Sequence, residues 1–205
     1  MYLGGIIGMR HVTTTLLVAM ASVAATCGAA ADSNSIGLTI TSNRNPNNFG
    51  IPRSTKYQFN ARHTFDSGLN LGGSFEFSDT AFSDRASKNL EGTIGYGIPL
   101  NYASFLTVSA GIGERWHQNP SNSFPYYVLR IGLNFELTQD ITWNAIAYRF
   151  RDAFDADENY NTPQIATGLT FKVDENSSIT AKVARNWRDG SPSSTGISLD
   201  FKRRF

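Results

Sequence analysis

From Ser35 onward, apolar side chains recur at every second position. Ile36, Leu38 and Ile40 alternate with Gly37, Thr39 and Thr41. Leu90, Ile94, Tyr96 and Ile98 alternate with Glu91, Thr93, Gly95 and Gly97. The same rhythm marks residues 57–62, 71–77, 106–112, 127–136, 146–151, 165–173, 179–183 and 197–205. A period of two describes a strand with one apolar and one polar face. No segment sustains a helical period. Around Trp143 both parities carry apolar residues, so the alternation leaves that facing open.

The connections carry a second pattern. Residues 43–53, 79–87, 114–123, 152–162 and 188–194 are long and polar, whereas 66–68, 99–101, 138–140 and 174–176 are tight turns. Membrane-spanning barrels have short periplasmic turns and longer outer loops, and an even number of strands. The expected fold is therefore all-β: a single transmembrane antiparallel up-and-down β-barrel of about ten strands, eight and twelve being the neighbouring even counts. A soluble sandwich also alternates, but it has no rule of loop length. Aromatic residues near strand ends, among them Tyr57, Phe77, Tyr126, Trp143, Phe171 and Trp187, suit the two interfacial girdles of such a barrel.

The first residues follow another logic. Arg10 and His11 precede an apolar run beginning at Leu16, and small residues follow up to Ala29-Ala30-Ala31. A basic start, an apolar centre and a small-residue exit describe a secretory signal peptide. The expected division is residues 1–31 as signal peptide and 32–205 as outer-membrane β-barrel, with Met9 an alternative start. The apolar run is shorter than the ~20 residues a spanning helix needs. Cys27, the single cysteine, falls within the segment removed, which suits export to an oxidising compartment. Localisation in the outer membrane of a Gram-negative bacterium follows from the signal and the barrel together.

Composition narrows the function classes. Net charge is +1, which argues against a nucleic-acid partner. Charged residues make up only 17%, with 18 glycines and 14 phenylalanines, an unusual mixture for a soluble enzyme. The mean hydropathy of −0.26 excludes a bundle of membrane helices and matches strands with one polar face.

The last strand, residues 196–205, resembles the terminal signal of outer-membrane barrels. Phe205, Phe201, Leu199 and Ile197 match its alternating apolar positions, and Arg203 departs from it. The resemblance implies recognition by the barrel-assembly machinery. Arg185 and Trp187 are further candidates for the outer membrane interface, where they would meet lipid and lipopolysaccharide.

If the apolar set faces lipid, the polar set lines the lumen. Candidate lining residues are Lys56, Arg62, Glu76, Glu91, Arg130, Arg149, Arg151, Lys182 and Asp200. With Lys172, Lys202, Arg204 and Glu136 added, nine basic groups stand against four acidic ones. The run Tyr148-Arg149-Phe150-Arg151 resembles the arginine-lined strands of small monomeric porins for acidic oligosaccharides. That resemblance implies transport of anionic sugars, although those porins have more strands. The expectation is a porin-like channel for ions or small anionic solutes, without cofactor or metal. The alternatives are a closed structural or adhesive barrel and a lipid-modifying hydrolase.

Enzymatic chemistry finds little support. Nucleophilic catalysis needs a serine beside a histidine and an orienting group. Downstream of residue 31 only His63 and His117 are available, and His117 shares an outer connection with Ser121. The acidic stretch 155–159 lacks full calcium-loop spacing. The protein is expected not to be an enzyme.

Overall fold

The computed structural model describes residues 33–205 except Asp84, Asn119, Pro120, Ala156 and Asn159. The expected signal peptide, with Cys27, lies outside the described residues. Ten strands follow one another: β1 (Ser33–Arg44), β2 (Pro52–Thr64), β3 (Leu69–Thr80), β4 (Ala86–Asn101) and β5 (Ser104–His117) come first. β6 (Asn122–Glu136), β7 (Ile141–Ala153), β8 (Gln164–Lys172), β9 (Ser177–Arg188) and β10 (Ser191–Arg204) complete the set. Each strand pairs antiparallel with its chain neighbours, and β1 pairs with β10 from Ser35↔Arg204 to Arg44↔Thr195. The seam is extended by Phe205, whose N–H donates to the Asn34 carbonyl at 2.9 Å and whose carbonyl accepts from Asn34 N–H at 3.0 Å. The sheet is thus a closed ten-stranded barrel without a free edge.

The molecule is built inside out relative to a soluble domain. Among the described residues, 31 large apolar side chains are exposed, against seven apolar side chains that are buried, three of them alanine. Ile36, Ile40, Leu90, Ile94, Ile131 and Leu199 belong to the exposed set and share one parity along their strands. A contiguous apolar surface of this extent marks contact with a non-aqueous phase. No helix among the described residues is long and apolar enough to cross a membrane.

The strands run further than the apolar pattern. Residues 45–51, 81–85, 118–121, 154–163 and 189–190 form one set of connections; 65–68, 102–103, 137–140 and 173–176 form the other. Two of the outer connections expected to be long, at 118–121 and 189–190, are therefore as short as the turns opposite. The reason is that a hydrogen-bonded ladder needs no apolar side chains. β5 and β9 continue through Arg115, His117, Asn186 and Arg188 after the apolar alternation has stopped. The β9–β10 hairpin closes on Asp189 and Gly190, with φ of 50° and 75°. Positive φ at both central residues is what a two-residue type I′ turn demands, and an Asp-Gly pair supplies it. At the opposite rim, the Asp174 carboxylate accepts the Asn176 N–H at 2.8 Å, and this backbone bond holds its pKa below the usual value.

β7 resolves the ambiguity at Trp143. Asn134 pairs with Asn144 while Leu133 pairs with Ile146, so Ala145 is an extra residue in the ladder. This bulge places Trp143 outward, where its indole donates to Thr167 Oγ1 at 3.2 Å. It places Asn144 inward, where it donates to Thr170 Oγ1 at 3.1 Å.

One glycine has a specific spatial task. A Cβ on Gly113 would lie 2.5 Å from Cζ of Tyr126, so the tyrosine ring lies directly over β5 at this point. A Cβ on Gly92 would meet nothing within 4 Å. Gly113→Ala should cost about 1–3 kcal/mol by overpacking against the ring. Gly92→Ala should be nearly neutral in comparison. Urea unfolding in detergent micelles checks both; equal midpoints for the two variants would refute the ring placement.

Candidate functional site

Alternation along a strand decides which polar groups share the barrel interior. The inward register carries Lys56 and Arg62 on β2, Glu76 on β3, Glu91 on β4 and Arg130 on β6. It also carries Arg149 and Arg151 on β7, Lys182 on β9 and Asp200 on β10. These residues occupy two levels. Lys56, Glu76, Glu91 and Arg151 stand in the half nearer the longer loops, with Arg130 and Arg149 just beneath. Arg62, Lys182 and Asp200 stand in the half nearer the short turns, close to Lys202 and Arg204.

The upper level is a packed ionic ladder. Lys56 Nζ lies 3.3 Å from Glu76 Oε1, and Arg151 Nη1 lies 3.7 Å from Glu76 Oε2. Arg151 Nε donates to Glu91 Oε2 at 2.9 Å. Arg151 Nη2 is also 2.9 Å from that oxygen but makes no hydrogen bond, so this second contact is ionic rather than directed. Arg130 Nη2 pairs with Glu91 Oε1. Asn89 Nδ2 donates to Glu76 Oε1 at 2.8 Å, and Tyr126 Oη donates to Glu91 Oε2 at 3.2 Å. The chain of contacts joins β2, β3, β4, β6 and β7 across the lumen. Glu76, Glu91 and Arg151 are only 3%, 2% and 2% exposed, whereas the flanking Lys56 and Arg130 side chains stay partly exposed, so the centre of the ladder is closed to solvent and its ends are not. Charges taken out of water in this way persist only when paired and hydrogen-bonded.

Aromatic side chains complete the seal. Tyr160, from the connection between β7 and β8, turns into the barrel and is 4% exposed. Its ring meets those of Phe124 and Tyr126 edge-on, each with centroids 5.2 Å apart. Arg115 lies over the Tyr160 ring at 5.0 Å, and its Nη1 donates to Tyr160 Oη at 3.3 Å. Arg115 also donates to Asn89 Oδ1 at 3.1 Å, Ser87 Oγ at 2.9 Å and His117 Nε2 at 3.2 Å. The segment after Tyr160 is tied down on both sides. Thr162 N–H donates to the Arg151 carbonyl at 2.9 Å, and Trp187 N–H donates to the Pro163 carbonyl at 2.9 Å.

The lower level is more open. Arg62, Lys202 and Arg204 face inward yet remain exposed. Asp200 Oδ1 is buried without a hydrogen-bond partner. The interior thus changes from an ion-paired, largely buried zone, still carrying more cations than acids, to an exposed basic zone along the barrel axis.

Four members of the site escape the sequence reading: Asn89, Arg115, Tyr126 and Tyr160. Arg115 was accessible by extending the parity of Gly111 and Gly113 two residues further along β5. Tyr126 shares the parity of Arg130 and is fully buried in the lumen, so its place in an interfacial girdle is corrected. Its ring is needed inside, where it supports Arg151 at 5.5 Å. Tyr160 lies in a connection where no periodicity could place it.

The outer-wall candidates sit on the opposite parity. Trp187 and Arg185 face outward from β9. Arg185 Nη1 donates to the Pro46 carbonyl and to Thr195 Oγ1, both at 2.8 Å, fastening the β1–β2 loop. Phe201 and Phe205 are exposed on the outer wall beside the β1–β10 seam. His63 also points outward, with Nδ1 3.0 Å from Asn34 Oδ1 and its ring edge-on to Phe65. His117 has Arg115 as its polar partner rather than a serine. No group of three metal-ligating side chains gathers among the described residues.

No family model matches the sequence, and no curated protein matches it. Solved structures do match. An outer membrane channel from Pseudomonas putida F1 superposes with a TM-score of 0.53 at 8% identity, over 87% of this chain and 97% of that one. The β domain of the Bordetella autotransporter BrkA gives 0.53 at 9% identity, over 83% and 98%. The KdgM porin in complex with disordered oligogalacturonate gives 0.48 at 15% identity, over 83% and 99%. At such identities the first two likenesses establish the fold alone: this chain is an outer-membrane-type β-barrel.

Glu91 is the acid shared by two arginines, so its removal tests the ladder. Glu91→Gln leaves Arg130 and Arg151 without their common carboxylate and should cost about 3–5 kcal/mol. Glu114→Gln, on the outward parity of β5, should cost under about 1 kcal/mol. The difference between their unfolding midpoints in micelles is the measurement; comparable losses would count against the ladder.

Proposed function

We propose that the protein is a porin-like channel of the bacterial outer membrane, passing ions or small anionic solutes through a basic lumen. The carrying observation is the inward charge balance. Adding Arg115 and Arg188, the latter on the parity of Lys182 at the end of β9, to the nine basic positions gives eleven inward Lys and Arg against four inward acids on the strands. Basic groups on low-dielectric walls concentrate anions and exclude cations. A barrel of ten strands lies between eight, roughly filled by its own side chains, and ~16, which leaves a water channel. Any conducting path here is therefore narrow, and it runs past Arg130 and Arg149 to the exposed basic zone. Delivery would follow signal-directed export, with the assembly machinery reading the strand that carries Phe201 and Phe205. Arg185 and Trp187 would face lipid and lipopolysaccharide. The reading involves no nucleic acid, no cofactor and no catalytic residue.

A second reading is favoured by the ionic ladder itself: a closed barrel that stabilises the envelope or presents its loops. Lys56, Glu76, Arg151, Glu91 and Arg130 bridge the lumen, and Tyr160 lies over them.

Planar-bilayer recording of the purified protein separates the two. The channel reading expects discrete conductance steps and, in a KCl gradient, a reversal potential of the sign set by chloride permeation. Tyr160→Ala removes the ring from the sealed zone and should raise unitary conductance. No steps from either protein, once each is shown folded by its heat-modifiable gel mobility, would leave the closed barrel.

A further inference from the structure

Arg149 is the one member of the upper ionic cluster whose place the ladder does not explain. It stands directly opposite Arg130 in the register of β6 and β7, both facing inward. Like charges at a directly opposed pair repel. Arg130 is compensated by Glu91, but that carboxylate also serves Arg151, and Glu76 serves Lys56 and Arg151. Among the described residues, no carboxylate lies within ion-pair distance of Arg149. Its Nε is buried and has no hydrogen-bond partner.

The neighbours do not remedy this. Gln164, beside Arg149 on β8, turns its amide N–H to Asn186 Oδ1 at 2.6 Å, and among the described residues its Oε1 accepts no hydrogen bond from Arg149. Ala147 and Ala166 bring no polar side chain. Asp200 lies on β10, across the barrel and in the lower level. Arg115 differs, because its guanidinium is hydrogen-bonded to four side chains and stacked on Tyr160. An arginine cannot shed its proton to escape the cost of burial. Arg149 as a whole is half-buried, but its Nε is shut away from water with no acceptor and no carboxylate beside it, a position that an anion from outside the chain would satisfy.

We propose that Arg149, with Arg130 opposite, forms a binding site for a small inorganic anion, the counter-ion that the chain itself does not provide. A guanidinium presents a planar set of donors suited to a halide or a compact oxyanion. The anion sits where the ion-paired zone gives way to the exposed basic zone and is reached from the lower mouth. It screens the Arg130–Arg149 repulsion and leaves Glu91 free to hold Arg151. The site rests on the inward facing that also supports the channel reading, but it does not require that ions cross the barrel.

Bromide is the probe, because its anomalous scattering locates it in crystals of the whole protein. The expected result is a peak within hydrogen-bond distance of Arg149 Nε. That peak should be lost in Arg149→Gln and retained in Lys202→Gln, a change at the lower mouth. No peak at Arg149 in the native protein, or a peak that survives Arg149→Gln, overturns the proposal. Both variants are first checked for heat-modifiable mobility; if Arg149→Gln does not fold, Arg149→Lys replaces it, keeping the charge but removing Nε, and the peak is expected to leave the Nε position for the lysine Nζ, a peak unmoved from its native position overturning the proposal. Bilayer recordings are read separately. A silent native protein counts against the channel, while the bromide density alone decides the anion site.

Discussion

In hydrocarbon no water is available to a backbone amide, and every N–H and C=O must find its partner within the chain. The ring of ten strands answers that demand, and the β1–β10 pairing is the step that removes the last free edge. Once the ring is closed, the remaining features are constrained. One parity of each strand must suit lipid, and the other must fill or line whatever space the circumference leaves. The polar residues therefore converge without needing any motif. Glu76 and Arg151 come from strands far apart in sequence, yet closure brings them to one level.

Closure also makes charge expensive in the interior. Glu76 and Glu91 are almost fully buried, and each serves more than one cation. Tyr126 and Asn89 satisfy further oxygen positions, while Phe124 and Tyr160 exclude water above them. The lower half lacks this arrangement, and its basic groups rely on solvent instead. The barrel is thus asymmetric along its axis, and that asymmetry, rather than the average charge of the lumen, governs how a solute would meet it. The two levels lie in series along one axis, so a conducting role requires a path past the ion-paired level, whereas a closed role takes that level as it stands.

Much of this was legible in the chain. Period-two alternation marks the strands, and the tally of connections gives their even count. Alternation fails where the physical signal changes. Strand ends were set too early because the ladder at Arg115 and Asn186 is held by hydrogen bonds after apolar alternation has ceased. Tyr126 suits the wall by sequence because an aromatic near a strand end fits an interface as well as a core. Tyr160 was invisible because its position depends on how a connection folds back, which no periodicity encodes. The pairing partners of the lumen charges were equally hidden. They depend on the stagger between strands, which alternation within one strand does not record.

The bulge at Ala145 has a consequence for how such a strand can change length. Thr142 and Asn144 lie on the same side of the sheet as Ala147, Arg149 and Arg151, although the count between the two groups is odd. The surplus residue is absorbed at one spot instead of being passed along the strand. Had it been passed along, both arginines would have been turned toward the acyl chains. Excising Ala145 is accordingly the shortening of β7 that leaves every remaining side chain on its own side. The kink works as a frame-correcting joint, which keeps a one-residue change of length there from reaching the lipid-facing side.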